Sequence, residues 1–299
     1  MNSRLFTPKL YWKIFSDFRR CKGNVSLAYN SYESTLPLGH PEETNSPIII
    51  MHGLLGSKTN WTSLAKVIHM KTKRQVITID ARNHGESPHT KSISYNEMAE
   101  DIMDLMDSLM INQATLVGHS MGGRTMMTLA LTEPEVVNQL VVVDISPIDT
   151  SPVMGDLSRI IEGLQHIRLP EKLSRLAAKK EVDKQLMEIV TSDMLRQFLM
   201  TNLVEDNGTF KWRVNLRTIA KDFLNIVNFP KFESRFEGET LFIGGSRSDY
   251  IRRDHHESIR RLFPRCEFTY VDGAGHWVHS EKPKEFLDEL LQFLTRKRS

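Results

Sequence analysis

The stretch Ala114-Thr115-Leu116-Val117-Gly118-His119-Ser120-Met121-Gly122-Gly123 decides the fold. Its first residues, with Thr115–Val117 at the centre, form an apolar run that is typical of a buried strand. The run leads directly into a G-x-S-x-G motif, and a helical pattern follows from Arg124 to Leu131. Ser120 is therefore predicted to lie in a sharp turn between a strand and a helix, a position that presents a serine hydroxyl as a nucleophile.

Apolar runs on both sides of this stretch have the length and continuity of strands that are buried on both faces. They are Ile48–Met51, Val76–Ile79, Leu140–Val143, Thr240–Ile243 and Phe268–Val271. Helical patterns alternate with these runs, among them one that opens with the capping box Ser94-Tyr95-Asn96-Glu97 and a last one that starts near Pro283. The alternation predicts an α/β fold with a mostly parallel central sheet and helices on both faces.

Residues 148–236 break this alternation. They contain helical patterns, such as Leu157–Leu164 and Val182–Met200, but no convincing buried strand. We therefore predict an inserted helical cap over the active site, and a core formed by residues 36–147 and 237–299. Large apolar side chains of the cap are expected in part to line the pocket and to hold an acyl chain.

The composition argues against several classes of protein. The chain has 299 residues, with 39 Lys and Arg against 37 Asp and Glu, so its balanced charge gives no reason to expect a nucleic-acid partner. No apolar run approaches the roughly 18 residues that cross a bilayer. Cys21 and Cys266 are far apart and lack metal-ligand spacing, so the sequence indicates neither a disulfide framework nor a metal site, and it favours a reducing compartment.

Residues 1–35 form a predicted N-terminal extension. Between Met1 and Lys22 there are six Lys or Arg residues and one acid, Asp17, and apolar residues recur at helical spacing. This pattern predicts a mitochondrial transit peptide, with a solvated tail or a first strand region as the alternative.

A serine nucleophile needs a base, and His276 is the best candidate. It follows the flexible Gly273-Ala274-Gly275 segment after the last predicted strand. The loop His52-Gly53-Leu54-Leu55-Gly56 follows an early strand and is placed to form an oxyanion hole, with the N–H groups of Leu54 and Met121 as donors. The segment Asp80–Ser87 is predicted to brace this loop through Asp80 and Arg82.

Two aspartates compete to orient His276. Asp249 follows the strand Thr240–Ile243 and occupies the usual late position of the acid. Asp144 directly ends an apolar strand, where a carboxylate is poorly solvated unless it is paired, so we favour Asp144 and keep Asp249 as the alternative.

Seven motifs between about residues 47 and 294 form a recognisable set. They are His52–Gly56, Asp80–Gly85, Gly118–Gly123, Val143–Pro147, Thr201–Glu205, Trp212–Leu216 and Gly273–Trp277. The set resembles the α/β-hydrolase domain-containing protein 11 family, which is similar to bacterial YbfF-type esterases. The resemblance implies the α/β-hydrolase fold, a location in the mitochondrial matrix, activity on lipid esters such as diacylglycerol, and an association with the 2-oxoglutarate dehydrogenase complex. It also implies Asp144 as the acid.

The sequence thus predicts a serine hydrolase that cleaves carboxylic esters through an acyl-enzyme, with neither a metal nor an organic cofactor. A serine in the turn between strand and helix argues against epoxide hydrolases and haloalkane dehalogenases, which use an aspartate at that position. Thioesterase and peptidase chemistry share the same apparatus and stay open. The alternative from another class is a non-catalytic binding protein of a mitochondrial complex that has kept this fold.

Overall fold

A seven-stranded sheet lies at the centre of the protein, in a computed structural model that describes residues 25–33, 46–148 and 154–296. Those residues contain the strands β1 (Tyr29–Tyr32), β2 (Ile48–Met51), β3 (Val76–Ile79), β4 (Ala114–His119), β5 (Val137–Val143), β6 (Leu203–Asp206), β7 (Thr209–Trp212), β8 (Thr240–Gly245) and β9 (Cys266–Val271). The sheet has the order β1-β3-β2-β4-β5-β8-β9. All neighbours pair in parallel except β1, which is antiparallel to β3.

Helices connect these strands. They are α1 (Thr62–Thr72), α2 (Tyr95–Ser108), α3 (Met121–Thr132), α4 (Met154–His166), α5 (Arg175–Leu186), α6 (Asp193–Met200), α7 (Leu216–Lys221), α8 (Phe223–Val227), α9 (His256–Leu262), α10 (Val278–Glu281) and α11 (Pro283–Thr295). No helix in the described part of the chain is long and apolar enough to span a bilayer.

The two faces of the sheet bury separate apolar cores. Because side chains alternate along a strand, Ile48 and Ile50 pack with α1 and α11, while Ile49 and Met51 face the opposite core with α2 and α3. Both faces of the central strands are therefore covered, which explains why their sequences are continuously apolar.

The predicted α/β-hydrolase fold and its six core strands are confirmed, with β4, β5, β8 and β9 somewhat longer than the apolar runs. The start of α2 is also confirmed, because the Ser94 hydroxyl accepts a hydrogen bond from the Glu97 N–H. Strand β1 comes from residues that the sequence analysis placed in the N-terminal extension. Its sequence, Tyr-Asn-Ser-Tyr, is polar and none of its residues is fully buried, so it gives little apolar signal. The segment from Met1 to Lys22, on which the transit peptide within residues 1–35 is predicted, lies outside the described residues.

Residues 148–236, the predicted cap, contain α4 to α8 and, in addition, a hairpin of β6 and β7. The hairpin escaped the search for buried strands because most of its residues are partly exposed. Its signal is the turn Asn207-Gly208, where both residues have positive φ, of 50° and 80°. The pattern read over Val182–Met200 is two helices, since the Ser192 hydroxyl caps the start of α6.

Candidate active site

Ser120 lies in a strained turn between β4 and α3. Its φ of 52° and ψ of −117° are unusual for a residue with a side chain, and its N–H donates to the Val143 carbonyl oxygen at 3.0 Å. The flanking glycines are sterically required. A Cβ on Gly118 would lie 2.3 Å from the Gly122 carbonyl oxygen, and one on Gly122 would lie 2.6 Å from the carbonyl oxygen of Met51. The G-x-S-x-G spacing therefore reflects close backbone contacts.

The structure brings His276 and Asp144 together. Nδ1 of His276 lies 2.8 Å from Oδ2 of Asp144, whose side chain is fully buried. Asp144 also accepts hydrogen bonds from the Gly245 N–H at 2.9 Å and from the Ser248 hydroxyl at 2.5 Å. A carboxylate accepts, so Nδ1 carries the ring proton of neutral His276 and Nε2 is left as the basic nitrogen. Asp249 is exposed, and none of the hydrogen bonds to His276 comes from it.

Two aromatic side chains, Tyr250 and His119, pack around His276. Tyr250 stacks on it, with ring centroids 3.9 Å apart and an angle of 21° between the planes. Burial, with a smaller contribution from Asp144, raises the pKa of Tyr250 to about 12, so its hydroxyl stays protonated. On another side, Nε2 of buried His119 donates to the His276 carbonyl oxygen at 2.9 Å. Burial holds the pKa of His119 well below its usual range, so this side chain is a neutral support.

The loop after β2 is held in shape by His52. Nε2 of this ring accepts from the Ala81 N–H at 3.1 Å, so Nδ1 carries the proton and donates to the Gly53 carbonyl oxygen at 2.7 Å. Burial lowers the pKa of His52, which favours this neutral form. Within the described residues, the N–H groups of Leu54 and Met121 donate to no other protein group. Both are therefore available as donors to a ligand beside Ser120.

Charged side chains support the segment directly after the same loop, as predicted for Asp80. The Asp80 carboxylate accepts from both the N–H and the Nζ of buried Lys58, each at 2.6 Å. Its other partner is the Glu86 N–H at 2.8 Å. Arg82 turns away from the loop and forms a two-pronged ion pair with Asp101 on α2.

A cavity of about 360 Å³ opens above Ser120 and His276. Its roof comes from the cap residues Leu157, Ile160, Leu195, Phe198 and Leu199. Its other walls include Leu54, Tyr250 and Trp277. The cavity is thus mainly apolar, and the two predicted reactive side chains are among its polar lining residues.

Sequence reasoning missed Lys58, Ser248 and Tyr250. Ser248 and Tyr250 lie in the loop that was considered only as the source of Asp249. Ser248 contacts Asp144, 104 positions away in the sequence, and Tyr250 contacts His276, 26 positions away, so local pattern does not reveal either contact. No three His, Cys, Asp or Glu side chains in the described ranges are grouped closely enough to hold a metal ion.

The chain matches known proteins over most of its length. The family model of the alpha/beta hydrolase fold matches residues 46–283. The chain belongs to the α/β-hydrolase family. Within it, the chain is 45% identical over 278 residues to the sn-1-specific diacylglycerol lipase ABHD11 of Mus musculus, covering 92% of this chain and 90% of that protein. It therefore belongs to the ABHD11 group, as the motif resemblance predicted.

More distant α/β-hydrolases agree. Esterase YbfF of Escherichia coli is 31% identical over 253 residues, covering 85% of this chain and 94% of that protein. A solved structure, a marine microorganism esterase, superposes with a TM-score of 0.82 at 34% identity, covering 90% of this chain and all of the other. By family, this α/β-hydrolase is a carboxylic ester hydrolase.

Proposed function

We propose that the protein is a serine esterase that cleaves lipid esters, including diacylglycerol, through an acyl-enzyme. Ser120 is the nucleophile, His276 the general base and then acid, and Asp144 the orienting acid. The hydrogen bond between Asp144 and His276 carries the proposal, because it leaves Nε2 of His276 unprotonated in the cavity that Ser120 also lines.

The reaction has two halves. Nε2 of His276 takes the Ser120 hydroxyl proton as Oγ attacks the ester carbonyl carbon, and the N–H groups of Leu54 and Met121 donate to the developing oxyanion. The imidazolium returns that proton to the departing alkoxide, which leaves an acyl group on Oγ. In the second half, His276 takes a proton from a water molecule as its oxygen attacks the acyl carbon, and then returns that proton to Oγ of Ser120. The carboxylic acid is released and Ser120 is free again. Asp144 stays ionised and stabilises the imidazolium in both halves.

The apolar roof supports a lipid ester as substrate. A buried acyl chain gains about 0.8 kcal/mol per CH₂, and the five roof side chains, which include Leu195 and Phe198, offer that contact in the cavity that Ser120 also lines. The names of the ABHD11 relatives point to diacylglycerol.

Location and partner are further proposals. The basic N-terminal segment, with six Lys or Arg residues against one acid, supports import into the mitochondrial matrix. There the association with the 2-oxoglutarate dehydrogenase complex rests on the family resemblance alone. A fusion of residues 1–35 to a fluorescent protein tests the location, and co-purification of the complex with full-length chain tests the association.

A fluorophosphonate probe tests the nucleophile. Wild type should be labelled and Ser120→Ala should not. Ser280 lines the same cavity and serves as the control, so Ser280→Ala, which keeps Ser120, should be labelled like wild type. Ester turnover by Ser120→Ala should fall by several orders of magnitude. Labelling of folded Ser120→Ala, or activity within tenfold of wild type, would reject the assignment, and an unlabelled wild type would favour a non-catalytic binding protein.

A series of p-nitrophenyl esters tests the substrate class. We expect kcat/KM to rise from acetate toward medium chains, up to the length that the cavity holds. A flat or falling series would remove the case for lipid esters. Matched acyl thioesters, measured in parallel, distinguish an esterase from a thioesterase.

A further inference from the structure

The outer face of α5 carries large apolar side chains that are mostly exposed. The inner face of this helix is buried through Ala178, Val182 and Leu186. On the outer side, Leu176 is 68% exposed, and Met187 just after the helix is 55% exposed. Eleven residues are about three helical turns, so these two side chains share one face.

Cations surround these apolar side chains. Between residues 168 and 184 there are six cations and three acids, and one of the acids, Asp183, is paired with buried Arg196 at 3.0 Å. None of the six forms a salt bridge within the described part of the chain. They are Arg168, Lys172, Arg175, Lys179, Lys180 and Lys184. Lys180 and Lys184 fall on the same helical face as Leu176.

This surface is continuous with the entrance to the active site. A groove between α5 and α6 is lined by Lys179, Lys180, Gln197 and Thr201 among others. Gln197 and Thr201 also line a second groove together with Phe198 and Trp277. Phe198 and Trp277 in turn line the cavity over Ser120. Shared lining residues therefore connect the α5 surface to the cavity that Ser120 lines.

We propose that the outer surface of α5 and α6 docks on an anionic lipid surface and places the cavity mouth against it. The apolar side chains would enter the headgroup region while the lysine ammonium groups lie at the phosphates, the arrangement of helices that bind in the plane of a membrane. The inference rests on the proposed function, because a lipid substrate is dissolved in such a surface. The negative charge of the partner follows from the excess of the six unpaired cations over the acids that form no salt bridge in the described part of the chain, Glu171 and Glu181 in the same segment and Glu188 just after it.

Vesicle binding of the full-length protein tests the proposal. Wild type should bind phosphatidylcholine vesicles that contain phosphatidylglycerol, and should bind them less as salt is raised or phosphatidylglycerol is omitted. Lys180→Glu combined with Lys184→Glu should weaken binding at least about tenfold. Leu176→Ser should weaken it less. The charge control is Lys66→Glu combined with Lys71→Glu on α1, which changes the net charge equally and should bind like wild type. The apolar control is Met110→Ser, which should also bind like wild type. Met110 lies outside the predicted cap, and its side chain is 88% exposed.

Hydrolysis of a soluble p-nitrophenyl ester separates this proposal from the proposed function. The α5 variants should hydrolyse it like wild type and show a raised KM only for diacylglycerol presented in anionic vesicles. Normal hydrolysis without vesicle binding, or equal binding by the Lys180→Glu, Lys184→Glu variant and its α1 control, would overturn the docking surface alone. Vesicle binding by a protein that cleaves no ester would support the surface and reject the esterase.

Discussion

Replacing Asp144 with asparagine should abolish most activity without unfolding the protein. Oδ1 of Asp144 accepts the Gly245 N–H, so an asparagine keeps its carbonyl oxygen there and places its NH₂ where Oδ2 now lies. The Ser248 hydroxyl can rotate and accept from that NH₂. His276 must then accept at Nδ1, which moves the ring proton to Nε2 and leaves no acceptor for the Ser120 proton.

The size of the effect follows from this change of tautomer. The side chain is nearly isosteric and every buried partner keeps a hydrogen bond, so we expect little loss of folding stability. Turnover should fall on the order of 10⁴-fold, as for the same change in an established triad. At 1.36 kcal/mol per tenfold, that is about 5 kcal/mol of lost transition-state stabilisation.

The assay compares kcat for a p-nitrophenyl ester in Asp144→Asn, Asp249→Asn and wild type, with thermal unfolding followed by circular dichroism. Asp249→Asn is the matched control, because its side chain is exposed and should change kcat by about twofold or less. If folded Asp144→Asn keeps activity within tenfold of wild type, or if Asp249→Asn is the damaged variant, the assignment of the acid is wrong.

Three further predictions concern the supports of the site. Ser248→Ala removes a hydrogen bond to a buried carboxylate and should lower kcat about 10- to 100-fold with little change in KM. The control is Ser246→Ala, which should leave kcat unchanged because the Ser246 hydroxyl contacts Asp272 and Gly273 instead. Equal effects of the two substitutions on kcat would show that Ser248 does not position the acid. Gly122→Ala should yield insoluble or inactive protein, because its Cβ would lie 2.6 Å from two backbone oxygens; a folded, active variant would contradict this. Burial lowers the pKa of His84 and of His279 from 6.5 to about 3, so the unfolded state binds more protons between those values and stability falls as pH drops through that range. Each should cost about 2 kcal/mol at pH 5 relative to neutral pH, and urea unfolding of His84→Gln at both pH values should show a smaller loss than wild type.

The placement of Ser120 and His276 at one edge of the sheet follows directly from local sequence pattern. Ser120 and His276 each stand in a glycine-rich turn after a strongly apolar strand, and parallel strands bring such turns to one edge of the sheet. Asp144 could be favoured over Asp249 on solvation alone, and the structure places it against His276.

Features that depend on distant contacts could not be predicted in this way. The loop after β8 supplies the Gly245 N–H, the Ser248 hydroxyl and the Tyr250 ring, and each acts on a group in another segment. Strand β1 is a half-exposed edge strand, and its pairing with β3 sets its conformation more than its own composition does. Local pattern carries no information about either case.

Arg124 joins the chemistry of the core to the cap. It lies on α3, one turn after Ser120, and its buried guanidinium donates to the carbonyl oxygens of Ser146 and Ile148, where the chain leaves the core for the cap. It also donates to the Val227 carbonyl oxygen, near the point where the chain returns. Three carbonyl groups thus stabilise a charge that would be costly to bury alone. The helix that presents Ser120 therefore contacts both ends of the predicted cap through one buried side chain. Because none of these hydrogen bonds of Arg124 involves the five roof side chains, we expect substitutions in the roof to change which acyl chain fits while this link between core and cap is kept.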